Sequence, residues 1–152
     1  MVLIFEAVHF NIIAPDHPHV ARGDGAHMVI NPRHAVEDRT QLTREQAIEL
    51  VKLTMVAGEA MKTVLTRHGI DIGRINYQDN GNWRHELHVH LYGRARSARR
   101  QPWGHFLSFP PTRDAFMAEM GDLEPLHAED IVALGAEIGR LLETEKYREF
   151  QA

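Results

Sequence analysis

Residues 43–69 constrain the fold more than any other stretch. Thr43 and Gln46 stand at the spacing of a capping box, in which each side chain satisfies a backbone N–H that a helix start leaves free. Ile48, Val51, Met55, Met61, Val64 and Leu65 then recur at helical spacing, and Gly69 ends the run. A long amphipathic helix needs an apolar surface to lie on, and the segments around it have the other period. Val2 to Ile13 is rich in β-branched and aromatic residues in rough alternation and stops at Ala14-Pro15-Asp16, so it is predicted as a first strand. His17 to Gly25 reads as a loop or short edge strand leading into a second strand, His27 to Ile30, closed by Asn31-Pro32.

Beyond the helix, Ile70 to Tyr77 and Trp83 to Tyr92 are strand-like and are separated by a turn cluster, Gln78 to Asn82, whose Asn-Gly step tolerates positive φ. A hairpin is predicted there. Phe106 to Phe109 is expected to form a short strand closed by Pro110-Pro111, and Glu129 to Glu149 has the pattern of a final amphipathic helix. The order predicts an α+β domain, an antiparallel sheet with the long helix and the C-terminal helix on one face.

The 152 residues are enough for one domain with its own core, with no linker or repeat to divide them. A net charge of -4 argues against wholesale binding to nucleic acid or membrane, so any basic site must be local. The chain has no cysteine, which excludes disulfides, thiolate metal ligands and a cysteine nucleophile. Its N-terminus lacks the pattern of a signal peptide and no apolar run approaches membrane-spanning length, so a cytoplasmic protein is expected. The unusual number is histidine, 11 residues, which composition alone does not explain.

Asn82 to Gly93 carries the chemistry. On a strand, Glu86, His88 and His90 line one side while Leu87, Val89 and Leu91 line the other, where the core belongs. Such a row is either the solvated face of an antiparallel strand or a binding site. Imidazole suits a site twice over: its neutral nitrogen is a nucleophile or metal ligand near pH 7, and its N–H donates to phosphate oxygens. The same three residues are also a donor set for zinc, manganese or non-haem iron, as in cupin-like proteins. Against the cupin reading stand the long helix before the motif and Arg94 and Ala95 where a further glutamate would be expected.

Glu86-Leu87-His88-Val89-His90-Leu91-Tyr92-Gly93 resembles the signature of the histidine triad (HIT) family, three alternate histidines on a strand followed by glycine, with Glu86 in place of the first histidine. The likeness extends to Asn76, to the Asn80-Gly81-Asn82-Trp83 turn, and to His27-Met28-Val29-Ile30-Asn31-Pro32-Arg33-His34, and so covers residues 5–95. The resemblance implies a nucleotide hydrolase or nucleotidyltransferase, working through a nucleotidyl-histidine formed at the α-phosphate of a small nucleotide. By position His88 would be the nucleophile and His90 would bind the phosphate oxygens, with Glu86 as a possible orienting or acid/base group. Asn76, Gly81, Asn82, Trp83 and His27 would hold the nucleotide. A homodimer is implied too, with no resident cofactor and no metal; a scaffold that binds nucleotide without turnover is the remaining alternative. His85 lies on the opposite side of an ideal strand and would substitute for the missing histidine only through a bulge.

Other residues are open to two readings. Arg94, Arg96, Arg99 and Arg100 form a local basic patch suited to distal phosphates or RNA, or a solvated loop. His17, His19, His27 and His34 should border the site if the topology is HIT-like, and Asp24 could accept from ribose hydroxyls or simply shape a turn. His68, His105 and His127 are assigned no role.

Overall fold

A computed structural model of the chain describes every residue except Asn80, Asn82, Gln151 and Ala152. Five antiparallel strands form one sheet: β1 (Val2–Glu6), β2 (Phe10–Ala14), β3 (His27–Pro32), β4 (Ile72–Gln78) and β5 (Val89–Ala95), in the order β1-β2-β3-β5-β4. Helix α1 (Arg44–Arg67) crosses between β3 and β4 on one face, and α3 (Ala128–Leu142) packs beside it and against β1. The α+β arrangement with the long helix and the C-terminal helix on one face is therefore present.

Helix α1 begins and ends as its sequence dictates. Thr43 accepts from the Gln46 backbone while the Gln46 side chain accepts from the Thr43 backbone. At the other end Gly69 adopts φ 85, and the N–H groups of Gly69 and Ile70 return to the carbonyls of Thr66 and Leu65. The stripe Leu50, Leu53, Val56, Ala57, Met61, Val64 and Leu65 is buried against Met28 and Ile30 of β3 and Val89 and Leu91 of β5 in one continuous core.

Four boundaries differ from the sequence expectation. Val2 to Ile13 is two strands rather than one, because the chain turns at Ala7, whose N–H donates to Phe10 O, and the Glu49 carboxylate receives the N–H groups of Val8 and His9. The histidine strand starts at Val89 rather than Trp83; residues 83–88 approach it as irregular chain, so the β4–β5 hairpin has a long connection rather than a tight turn. Phe106 to Phe109 is not a strand, and helix α2 (Arg113–Met120), capped by Thr112, follows it instead. The last helix breaks at Glu143-Thr144, where the Thr144 hydroxyl donates to Leu141 O, and α4 (Glu145–Arg148) continues separately.

Two glycines hold β3 and β5 in register near the site. Gly93 donates to Ala26 O, and a Cβ added at Gly93 would lie 1.9 Å from Gly25 O, one at Gly25 2.2 Å from Gly93 O. Only bare backbone allows that crossing. It sets His27 directly opposite Tyr92 and Val29 opposite His90.

Candidate functional site: a buried cluster of histidines

The sheet face turned away from α1 is polar, which the alternation of β5 requires. Leu87, Val89 and Leu91 enter the core, so His88, His90, Tyr92 and Arg94 project to the other side. Across β4, Gln78, Asn76 and Arg74 stand opposite His90, Tyr92 and Arg94, and across β3 His27 stands opposite Tyr92. The loop before β3 adds His19. Phe109 and Phe116 cover the group from residues 101–120, each with its ring against His19 at 5.2 Å and 4.8 Å, and Trp83 lies 5.7 Å from both His19 and Phe116.

Hydrogen bonds decide which nitrogen of each imidazole carries the proton. His88 Nδ1 lies 2.7 Å from Glu86 O. A carbonyl only accepts, so Nδ1 is the protonated nitrogen and Nε2 keeps a free lone pair. The His19 backbone N–H donates to His27 Nδ1 at 3.1 Å, which puts the His27 proton on Nε2. From there it donates to His90 Nδ1 at 2.8 Å, leaving the His90 proton on Nε2. A bare nitrogen on His88 and an N–H on His90 thus stand on neighbouring rings whose centroids are 4.7 Å apart. His19 Nδ1 pairs with the Tyr92 hydroxyl at 2.8 Å.

Burial keeps the whole cluster uncharged. It pushes His90 down to about 3, helped by His19, His88 and Arg84, and His19 down to about 4, helped by His88. His27 falls well below its ordinary value through burial and the neighbouring His90, His19 and His88. His88 is lowered by burial as well, against the carbonyl of Glu86, which raises it. Burial also lifts the Tyr92 hydroxyl far above its usual range, so it stays a neutral donor.

Of the residues expected from sequence, His27, His88 and His90 come together and Trp83 borders them. Glu86 contributes its backbone carbonyl and not its carboxylate, which turns outward and lies 4.0 Å from Arg84, with half of the side chain exposed. The Glu86/His88/His90 metal set is therefore not assembled. His85 also points away, to Glu37 at 3.0 Å. Asn76 sits on β4, where its Oδ1 accepts from Arg94 Nη1 at 2.8 Å. Gly81 is exposed, and Asn82 lies outside the described residues. Asp24 is not free for a ribose: it is buried, and its carboxylate receives the N–H groups of Arg99, Arg100 and Gln101. His17 turns to Gly121 O, and His34 is exposed.

Sequence reading missed Tyr92, Phe109, Phe116 and Arg84. Tyr92 was visible as the next alternate position on the strand; the phenylalanines had no local signal. Arg84 reaches Asn31 through Nη2, and its positive charge depresses His88 and His90.

His19, His27 and His90 place one ligand nitrogen each within 4.8 Å of one another, the one such group among the described residues. Both nitrogens of His27 are already engaged, however. A cation would have to break the His27–His90 bond and shift the His27 proton toward a backbone N–H, so the donor set fits a hydrogen-bonded relay better than a metal.

No family profile matches the chain and no curated protein matches it in sequence. Solved structures do match in fold. A histidine triad protein from Sinorhizobium meliloti aligns with a TM-score of 0.61 at 17% identity, covering 91% of this chain and 87% of that one. One from Bradyrhizobium japonicum aligns at 0.63 with 14% identity over 91% and 88%. A hypothetical histidine triad nucleotide-binding protein from Sulfolobus tokodaii aligns at 0.58 with 16% identity over 92% and 85%. The chain has the fold of histidine triad proteins. No helix among its described residues is long and apolar enough to cross a membrane.

Proposed function

We propose that this chain binds a small nucleotide on the histidine face and acts at its α-phosphate, as a hydrolase or nucleotidyltransferase, with His88 as the nucleophile and Glu86 standing where the family has its first histidine. The observation that carries the reading is the proton placement: His88 presents a bare Nε2, and the adjacent His90 presents an N–H. In the first step the His88 lone pair forms a bond to phosphorus while the bond to the leaving group breaks. His90 Nε2–H donates to a phosphate oxygen as charge spreads over the equatorial positions, and the Arg84 charge favours the same anion. Attack by water or another acceptor on the nucleotidyl-histidine then frees His88. Asn76, Gly81, Asn82 and Trp83 complete the nucleotide contacts in this reading, and His27 acts by fixing the tautomer of His90.

Support comes from the fold, from the nucleotide-binding description of the Sulfolobus neighbour, and from the neutral state of the cluster at physiological pH. The outward carboxylate of Glu86 leaves the leaving group without a positioned acid, so substrates whose leaving group departs as an anion are favoured. Intact mass after incubation with dinucleoside polyphosphates, whose leaving group departs as a phosphate anion, tests it: a nucleotidyl adduct or product in the wild type, absent in His88→Ala, is expected, with slower reaction of nucleoside phosphoramidates, whose amine must be protonated to leave. If nucleotide binds and neither adduct nor product forms, the scaffold is a binder; if nothing binds, the reading fails. The homodimer belongs to the same proposal, and sedimentation as a monomer would remove it.

A further inference from the structure

A concave region lies on the same sheet face, one strand further out. It has a volume of about 440 Å³ and is walled by Arg74, Asn76 and Gln78 of β4, Arg94 of β5, and residues 103–107. That size suits a small-molecule moiety. Its electrostatics are one-sided, for no carboxylate lines it.

Arg94 is the unusual member. Its side chain is buried, with 6% of the residue exposed, and it has no acidic partner among the described residues. Nη1 donates to Asn76 Oδ1, Nη2 donates to the carbonyls of Pro102 and His105 at 3.1 Å and 3.0 Å, and the buried Nε has no partner. Carbonyl dipoles stabilise a buried cation without neutralising it, and burial accordingly lowers the affinity of Arg94 for its proton. Because Asn76 Oδ1 is committed to Arg94, its amide NH₂ remains available as a donor. The side chain of Arg74 stands at the exposed rim, with no hydrogen bond or ion pair of its own among the described residues. Trp103 forms one wall: a Cβ on Gly73 would lie 2.4 Å from its ring, so the indole rests directly on backbone while part of it stays exposed. Gly104, at φ 83, makes the turn that aims the Pro102 and His105 carbonyls at Arg94.

We propose that this cavity binds an anionic group, phosphate or carboxylate, carried by the part of the substrate distal to the reacting phosphorus. The proposal rests on the nucleotide reading for its place in the reaction, although the anion site stands on its own residues. Arg94 lies four residues beyond His90 on β5, about 13 Å along the strand at about 3.3 Å per residue. An anion between Arg74 and Arg94 would therefore be separated from the α-phosphate by a spacer, and would supply the counter-charge that Arg94 lacks. It would also hold the leaving group or the acceptor in line with His88.

The chain has only two tryptophans, so Trp83→Phe leaves Trp103 as the sole indole reporter in the full-length protein. Inorganic pyrophosphate and succinate, titrated separately at fixed ionic strength, should each change Trp103 emission saturably if both phosphate and carboxylate are accepted; a response to one alone identifies the source. The Nε–H resonance of Arg94 should shift with the same midpoint. Arg74→Gln, at an exposed position, should weaken binding at least fivefold, whereas His88→Ala should leave it unchanged. No saturable response by either readout, or a response untouched by Arg74→Gln, overturns the proposal. Loss of nucleotidyl transfer with anion binding intact would instead count against the catalytic reading alone.

Discussion

Lowering the pH from 7 to 5 should cost the fold about 2 kcal/mol through His90 alone and about as much through His19. In the unfolded chain both imidazoles titrate near the ordinary value of 6.5, whereas burial holds them at about 3 and about 4 in the folded protein. Across that interval the unfolded chain binds a proton that the native state refuses, so stability falls as pH drops below the unfolded value and reaches its plateau above it. About 1.5 pH units below 6.5, at about 1.4 kcal/mol per unit, give about 2 kcal/mol for each residue. His27 adds to the loss in the same direction. The buried carboxylate of Asp130 acts elsewhere: burial would raise it, but the hydrogen bonds from Arg22, His68 and the His127 backbone prevail and hold it at about 2, so its contribution is lost only at more acid pH. Urea unfolding followed by circular dichroism near pH 7, 6 and 5 measures the slope. His90→Gln removes one titrating group and should flatten the slope by about one proton, whatever it does to stability at neutral pH. A stability that is level over this range, or a His90→Gln slope equal to that of the wild type, would refute a cluster buried in the neutral state.

Three further outcomes follow from the geometry. Long-range proton–nitrogen NMR of the imidazoles near pH 7 should show His88 as the Nδ1–H tautomer and His27 and His90 as Nε2–H tautomers; the opposite tautomer at His88 would remove its nucleophile. Gly93→Ala should destabilise by more than about 3 kcal/mol, or prevent folding, because its Cβ meets Gly25 O at 1.9 Å with backbone on both sides; a melting temperature within a few degrees of wild type would show that the crossing can open. Asp24→Asn leaves a neutral acceptor for the N–H groups of Arg99, Arg100 and Gln101, and should cost about 1–3 kcal/mol while speeding amide exchange at those three residues; unchanged exchange would show that the loop is held by other contacts.

Periodicity and caps are local, and they carried most of the architecture. The Thr43–Gln46 capping box, the α1 stripe, the Gly69 stop and the alternation of Leu87, Val89 and Leu91 against His88 and His90 could all be read from neighbours in the chain, because each depends on backbone geometry over a few residues. The same alternation brought His88 and His90 to one face before any tertiary contact was known. Distances along the chain hid the rest. His19 and His27, expected near the site only through the family resemblance, meet His90 because β3 pairs with β5 over the Gly25–Gly93 crossing, and Phe109, read as the end of a short strand, closes the cluster with Phe116 from chain that forms none. Asp24, open in sequence to a ribose or a turn role, is saturated by three backbone N–H groups about 75 residues away, and the Glu86 carboxylate, expected from alternation to share a face with His88 and His90, turns outward. Residue type and spacing establish which side chains share a face; which nitrogen holds a proton, and which charge lacks a partner, depends on groups that only folding brings within hydrogen-bond reach.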